Sequence, residues 1–259
     1  MQGIMNVFEL IVDGIKKIFS GPNVLFKHIS LFALVGISSV VQTHFEILKE
    51  TLPKGPTAVL PDFTTVIGGI VIMVAIGIYF CGYSFRFMHN AYNDYEDNIL
   101  PEIDEKPIGT LFKAFPLIFV WVLWVILTYI VGIIPIIGWI GLIIMFFIWY
   151  PFIQFVFIAY AKDFNRKGLF RYTFPIDCMK HSFGTVVVCG LAFILLWIIA
   201  LIPCVIITVL FALGENSYST LSTYLCGILI GYSAFIIQMI WNYCAVQIYR
   251  ENILPEIED

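Results

Sequence analysis

From Ala114 to Ala161 the chain contains no Asp, Glu, Lys, Arg or His. As a single helix, at about 1.5 Å per residue, that run would extend roughly 70 Å. The hydrocarbon core of a bilayer is only about 30 Å thick. A membrane therefore accepts the run only if it folds back once. "GIIPIIGWIG" (132–141) supplies the turn, because Gly132, Pro135, Gly138 and Gly141 disfavour a continuous helix. Composition excludes a water-soluble globule. Of 259 residues, 60% are hydrophobic and 12% charged, and the mean hydropathy is +0.94, which leaves too little polar surface to face water.

Four more apolar stretches, near 24–46, 64–88, 183–213 and 222–248, are each long enough to cross a bilayer. The predicted fold is an all-α integral membrane bundle of six transmembrane helices. The first crossing carries Ser38, Ser39, Gln42, Thr43 and His44, residues that suit a bundle interior or an interface better than lipid. Every Lys and Arg except Lys49 and Lys54 falls on one side of this threading. That side is cytoplasmic by the positive-inside rule, so both termini are inside and the loops near 47–63, 132–141 and 214–221 face outward. The localisation expected is a cytoplasmic membrane.

Residues 1–20 lack a basic start and a small-residue cleavage site, and they carry Glu9 and Asp13, so they do not read as a signal peptide. Ile4, Phe8, Ile11, Val12, Ile15 and Phe19 recur at helical spacing, with Asn6, Glu9, Asp13, Lys16 and Lys17 on the remaining face. The expectation is an amphipathic helix along the inner interface, ended by Gly21-Pro22. Asp177, Lys180 and Phe183 repeat the spacing of Asp13, Lys16 and Phe19 ahead of the fifth crossing, while Ile108, Leu111, Phe112 and Phe115 lead into the third.

A second repeat is more specific. "DNILPEIDE" (97–105) returns as "ENILPEIED" (251–259), too long a match to treat as chance. Together these features divide one membrane domain, 1–259, into three transmembrane hairpins with amphipathic helices on the cytoplasmic side: 1–105, 106–167 and 168–259. The phrase closes the first and third, whereas the second ends in the basic "AKDFNRKG" (161–168). Repeats in one orientation differ from the inverted repeats of many secondary transporters. Because Ile and Leu alternate with acids in the phrase, both copies are expected to dock on the cytoplasmic face. Ile99, Leu100 and Ile103, with Ile253, Leu254 and Ile257, would turn inward, Pro101 and Pro255 would fix the backbone, and Glu102, Asp104, Glu256 and Glu258 would face out.

"GYSFRFMHN" (82–90), "LPEID" (100–104), "IGTLFKAF" (108–115) and "AYAKDFNRKGLFRYTFPID" (159–177) resemble segments of the prokaryotic membrane proteins of domain-of-unknown-function family 4013. The resemblance spans most of the chain and implies a multi-pass protein of a prokaryotic cytoplasmic membrane. It implies no activity.

Enzyme chemistry has weak support. Asn93, Asp94 and Asp97 match the start of the NDxxDxxxD signature with which intramembrane prenyltransferases hold divalent cations. Pro101 stands where the third Asp belongs, and Asp163 and Asp177 are too far apart to form a second cluster. A solvated acidic loop is the preferred reading. His28, His44, His89 and His181 are scattered, and the six cysteines read as small apolar residues, so neither a metal nor a cofactor is expected. Cys204 and Cys226 both lie toward the outer side. The remaining polar set in the inner half is Gln154, with Gln238 and Asn242 one turn apart. It is a candidate polar cavity near Pro151 and Pro203, weighed against plain interhelical hydrogen bonding, which is favoured.

Two functions follow. The leading one is a non-enzymatic multi-pass protein that organises partners or lipids, with the bilayer and a membrane or cytoplasmic protein as partners. The other is a transporter of a small uncharged or amphiphilic solute. With a net charge of -4 and the basic stretch 162–180 adjoining the membrane, nucleic acid is not an expected partner.

Overall fold

A computed structural model describes residues 7–51, 63–93, 99–103, 107–132, 138–139, 150–165, 174–213 and 220–255. Every regular element among them is helical: α1 Val7–Ile18, α2 Val24–Thr51, α3 Phe63–Tyr92, α4 Pro107–Gly132, α5 Tyr150–Asp163, α6 Phe174–Leu213 and α7 Thr220–Ile248, which runs into a π-helical turn at Tyr249–Ile253. Four stretches among the described residues are long and apolar enough to cross a membrane: Val24–Phe45, Val66–Tyr92, Ile176–Ile207 and Ser222–Ile253. Helix α4 is described as far as Gly132, and Pro135 and Gly141 of the expected turn lie outside the described residues.

Proline punctuation is weaker than its sequence suggests. Pro203 lies inside α6 and Pro116 inside α4. Both helices run on, as apolar helices can when neighbouring groups satisfy the freed carbonyl. Pro151 lies in α5 beside the first of its described residues, Tyr150. Between α1 and α2, Gly21 (φ 102°) and Asn23 (φ 56°) adopt left-handed backbone on either side of Pro22, which breaks the helical path.

The chain forms two compact units that cut across the three hairpin segments. Unit one comprises 1–22, 81–192 and 239–259; unit two comprises 23–80 and 193–238. Helices α3, α6 and α7 each contribute one part to each unit.

Unit two packs by close backbone approach. Gly227 and Gly231, one turn apart on α7, lie against α2, where a Cβ at Gly231 would meet Ser39 Oγ at 2.6 Å and Val35 Cγ1 at 2.9 Å, and one at Gly227 would meet Thr43 Oγ1 at 3.1 Å. Small residues at this spacing let apolar helices associate without a hydrophobic driving force, which lipid does not supply. His28 Nδ1 lies 2.7 Å from the Tyr232 hydroxyl and His44 Nδ1 lies 3.4 Å from that of Tyr224, tying the same helix pair at two levels. The Cys226 thiol donates to the Cys204 carbonyl at 3.8 Å, and neither cysteine forms a disulfide. Outward, α6 exposes Ile194, Leu195, Ile198, Ile199, Ile202, Val205 and Ile206, a surface suited to lipid and not to water.

Unit one has an aromatic interior. Tyr83, Phe85, Phe87, Phe152 and Phe155 are almost fully buried. Phe85 meets Tyr160 edge-to-face at 5.1 Å, and Tyr249 collects the rings of Tyr92, Phe155 and Phe174 at 6.2–6.5 Å, geometries that add to plain area burial. Helix α1 belongs to this unit and buries Val7, Leu10, Ile11, Gly14 and Ile18. Of the apolar stripe read from the sequence, Ile11 packs inward while Phe8, Val12 and Phe19 are exposed.

Candidate functional site

The last turns of α3, "GYSFRFMHN", carry polar side chains into an otherwise apolar helix end, and within unit one each has a defined use. Tyr83, Arg86 and Asn90 follow one another at three- and four-residue steps and so share a face of the helix. That face binds the first copy of the repeated phrase. The Tyr83 hydroxyl donates to the Pro101 carbonyl at 3.1 Å, Arg86 Nη1 to the Glu102 carbonyl at 3.2 Å, and Asn90 Nδ2 to the Ile99 carbonyl at 3.2 Å. Three successive groups on a helix thus lace an extended strap whose own backbone has no ladder to join. This satisfies buried carbonyls that otherwise cost about 1–3 kcal/mol each. Arg86 Nη1 also donates to Thr110 Oγ1 at 3.1 Å, joining the strap to the first turn of α4. A Cβ at Gly82 would collide with the Thr110 carbonyl, so only glycine permits this approach of α3 to α4.

The strap's side chains sort accordingly. Ile99, Leu100 and Pro101 are buried, Glu102 and Ile103 are half-buried, and Asp104 lies outside the described residues. His89 serves a different neighbour. Its Nδ1 lies 2.9 Å from the Ala161 carbonyl and 3.0 Å from that of Lys162. Carbonyls only accept, so Nδ1 carries the proton and closes the C-terminal turn of α5. Just beyond that turn Phe164 has φ 50°, uncommon for a bulky residue. It is held by the His89 ring at 4.9 Å, the Tyr160 ring at 5.8 Å and Lys113 Nζ 3.8 Å above its face.

The second copy is built differently. The helix does not end before it but widens into the π turn, with the Leu254 N–H bonded to the Tyr249 carbonyl. Ile253 is fully buried, Leu254 half-buried and Pro255 exposed, and Glu256 and Ile257 lie outside the described residues. Counting back from the shared Asn98 and Asn252, the positions of Tyr83, Arg86 and Asn90 are taken by Ile237, Ile240 and Cys244. The lacing donors are missing, and the chain remains helical.

Of the polar set, the structure joins two members. Gln154 Nε2 donates to Asn242 Oδ1 and lies 3.8 Å from Met88 Sδ. Asn242 is buried, whereas Gln238 is exposed on α7 in unit two. Sequence reading passed over the donor face of α3. Its signal was polar residues three and four apart at the end of an apolar helix, immediately before the repeated phrase.

An all-helical chain with several apolar helices of bilayer-spanning length has the build of a membrane protein. No family model, curated protein or solved structure matches it.

Proposed function

We propose that this chain is a six-crossing integral membrane protein with both termini cytoplasmic, and that it works without catalysis, its laced cytoplasmic face organising a protein partner or lipids. The observation that carries the reading is the Gln154–Asn242 hydrogen bond. Two of the three polar groups that a solute pathway would use are committed to each other, as expected of interhelical hydrogen bonding. Support for orientation comes from the charge bias, since the sequence range of unit one takes in every Lys and Arg except Lys27, Lys49 and Lys54. The experiment is native purification with mass spectrometry of copurifying proteins and lipids, beside tracer flux in proteoliposomes. A stoichiometric companion with no flux is expected. Saturable flux of a small solute, abolished by Gln154→Leu in a normally folded protein, would replace this reading with the transporter.

A further inference from the structure

Helix α1 and the start of α6 carry the same surface pattern: Val12, Lys16, Phe19 and Ile176, Lys180, Phe183, each at steps of four and three residues. All six side chains are exposed, so each helix presents two apolar groups flanking an ammonium. Each also places an Asp three residues before the Lys, and here the two part company. On α6, Asp177 pairs with Lys180 at 3.1 Å. On α1, Asp13 instead accepts a hydrogen bond from the Tyr243 hydroxyl of α7, and Lys16 makes no ion pair among the described residues. The diversion has a steric cause. Gly14 lets α1 lie directly on α7, where even a Cβ would stand 3.0 Å from Tyr243 Cδ1 and 3.5 Å from Ile240 Cγ2, and this brings Asp13 to the hydroxyl.

We propose that the Val12–Lys16–Phe19 edge of α1 binds the headgroup phosphate of an anionic phospholipid in the protein's own bilayer, and that Tyr243 keeps the site open by holding Asp13 away from Lys16. The proposal rests on the membrane reading above. Lipid is the occupant because Val12 and Phe19 are exposed apolar side chains, like those on the candidate membrane-spanning helices, and because a cation between two apolar side chains matches the boundary between acyl chain and phosphate. On α6 the same edge is neutralised by Asp177 and carries no such preference. One basic residue at an anionic surface contributes about a fivefold preference, the equivalent of roughly 1 kcal/mol.

The test uses the full-length protein in phosphatidylcholine vesicles, with Ser20, one turn beyond Lys16 and exposed, replaced by a photo-crosslinking benzophenone residue. Labelled phosphatidylglycerol should crosslink about five times more than labelled phosphatidylcholine. Lys16→Gln should bring the two to parity, and Lys180→Gln should leave the preference intact. Tyr243→Phe should lower it by releasing Asp13, and adding Asp13→Asn to that variant should restore it, which a folding defect would not permit. Equal crosslinking of both lipids by the protein otherwise native overturns the inference alone. Absence of crosslinking to either lipid overturns the membrane reading beneath it. Competition by excess glycerol phosphate in the buffer would assign the site to a soluble phosphate and overturn the lipid assignment, and an undiminished preference in Tyr243→Phe would overturn the role given to Tyr243.

Discussion

Asn-Ile-Leu-Pro-Glu-Ile occurs at 98–103 and again at 252–257, yet the described parts of the two copies have different backbones. The first is an extended strap pinned by Tyr83, Arg86 and Asn90, and the second continues helix α7 through a π turn. Both bury the first Ile. The difference shows that the phrase specifies an apolar contact and leaves its conformation to the preceding helix. Where that helix offers donors to free carbonyls, the strap can leave the helical path without stranding polar groups. Where it offers Ile237, Ile240 and Cys244, only internal bonding keeps the carbonyls satisfied, and the chain stays coiled.

The largest expected effects strike the most deeply buried side chain in each copy. Leu100→Asp and Ile253→Asp each place a carboxylate where the side chain is 2% and 0% exposed. Each should cost more than about 3 kcal/mol, or prevent folding outright. Leu254→Asp, at a half-buried position, should cost clearly less in a thermal unfolding series, and equal losses at Leu254 and Leu100 would erase the contrast between the copies.

Next comes the donor face itself. Arg86→Leu removes the bonds to the Glu102 carbonyl and Thr110, and hydrogen bonds from a charged group are worth about 1.5–3 kcal/mol. Added protease should then cut within 99–103 sooner while 249–253 stays as resistant as before. Gln154→Leu should change stability by about 1–2 kcal/mol at most without altering either copy, and accelerated cleavage at the strap would show that the Gln154–Asn242 pair belongs to the lacing after all. Smallest is Tyr83→Phe, which deletes one neutral hydrogen bond to Pro101 worth about 1 kcal/mol, measurable as a shift in thermal midpoint.

Sequence reading reached four of its six expected spans, for which length and hydropathy suffice, while the two expected within 114–161 are not among the candidate spans of the described residues. It expected 24–46 and 64–88 where the structure has candidate spans at Val24–Phe45 and Val66–Tyr92. The repeated phrase was legible too. Its two conformations were not, because they depend on side chains up to fifteen residues upstream whose partners are backbone carbonyls, and carbonyls carry no sequence signature. For α1, the apolar spacing marked Ile4, Phe8, Ile11, Val12, Ile15 and Phe19 as an interfacial stripe and did not single out the face packed on the protein, which centres on Leu10, Gly14 and Ile18. Close approach to α7 needs a glycine at the contact, and a count of large apolar residues overlooks glycine. Pro203 lies inside α6, within the stretch 183–213 expected to cross as one segment, since proline in an apolar helix is tolerated when neighbours supply the missing bond.

The central claim is that donors on α3, and not the phrase they bind, hold the first copy in place. Maleimide labelling of Leu100→Cys and of Ile253→Cys, each with and without Arg86→Leu, tests it directly, after subtraction of the native cysteines. Both positions should react slowly in the parent background. Arg86→Leu should raise the rate at position 100 by about tenfold or more, the factor corresponding to roughly 1.4 kcal/mol of lost local stability, and leave the rate at position 253 unchanged. A rise of the same size at both positions, or at neither, would contradict the account.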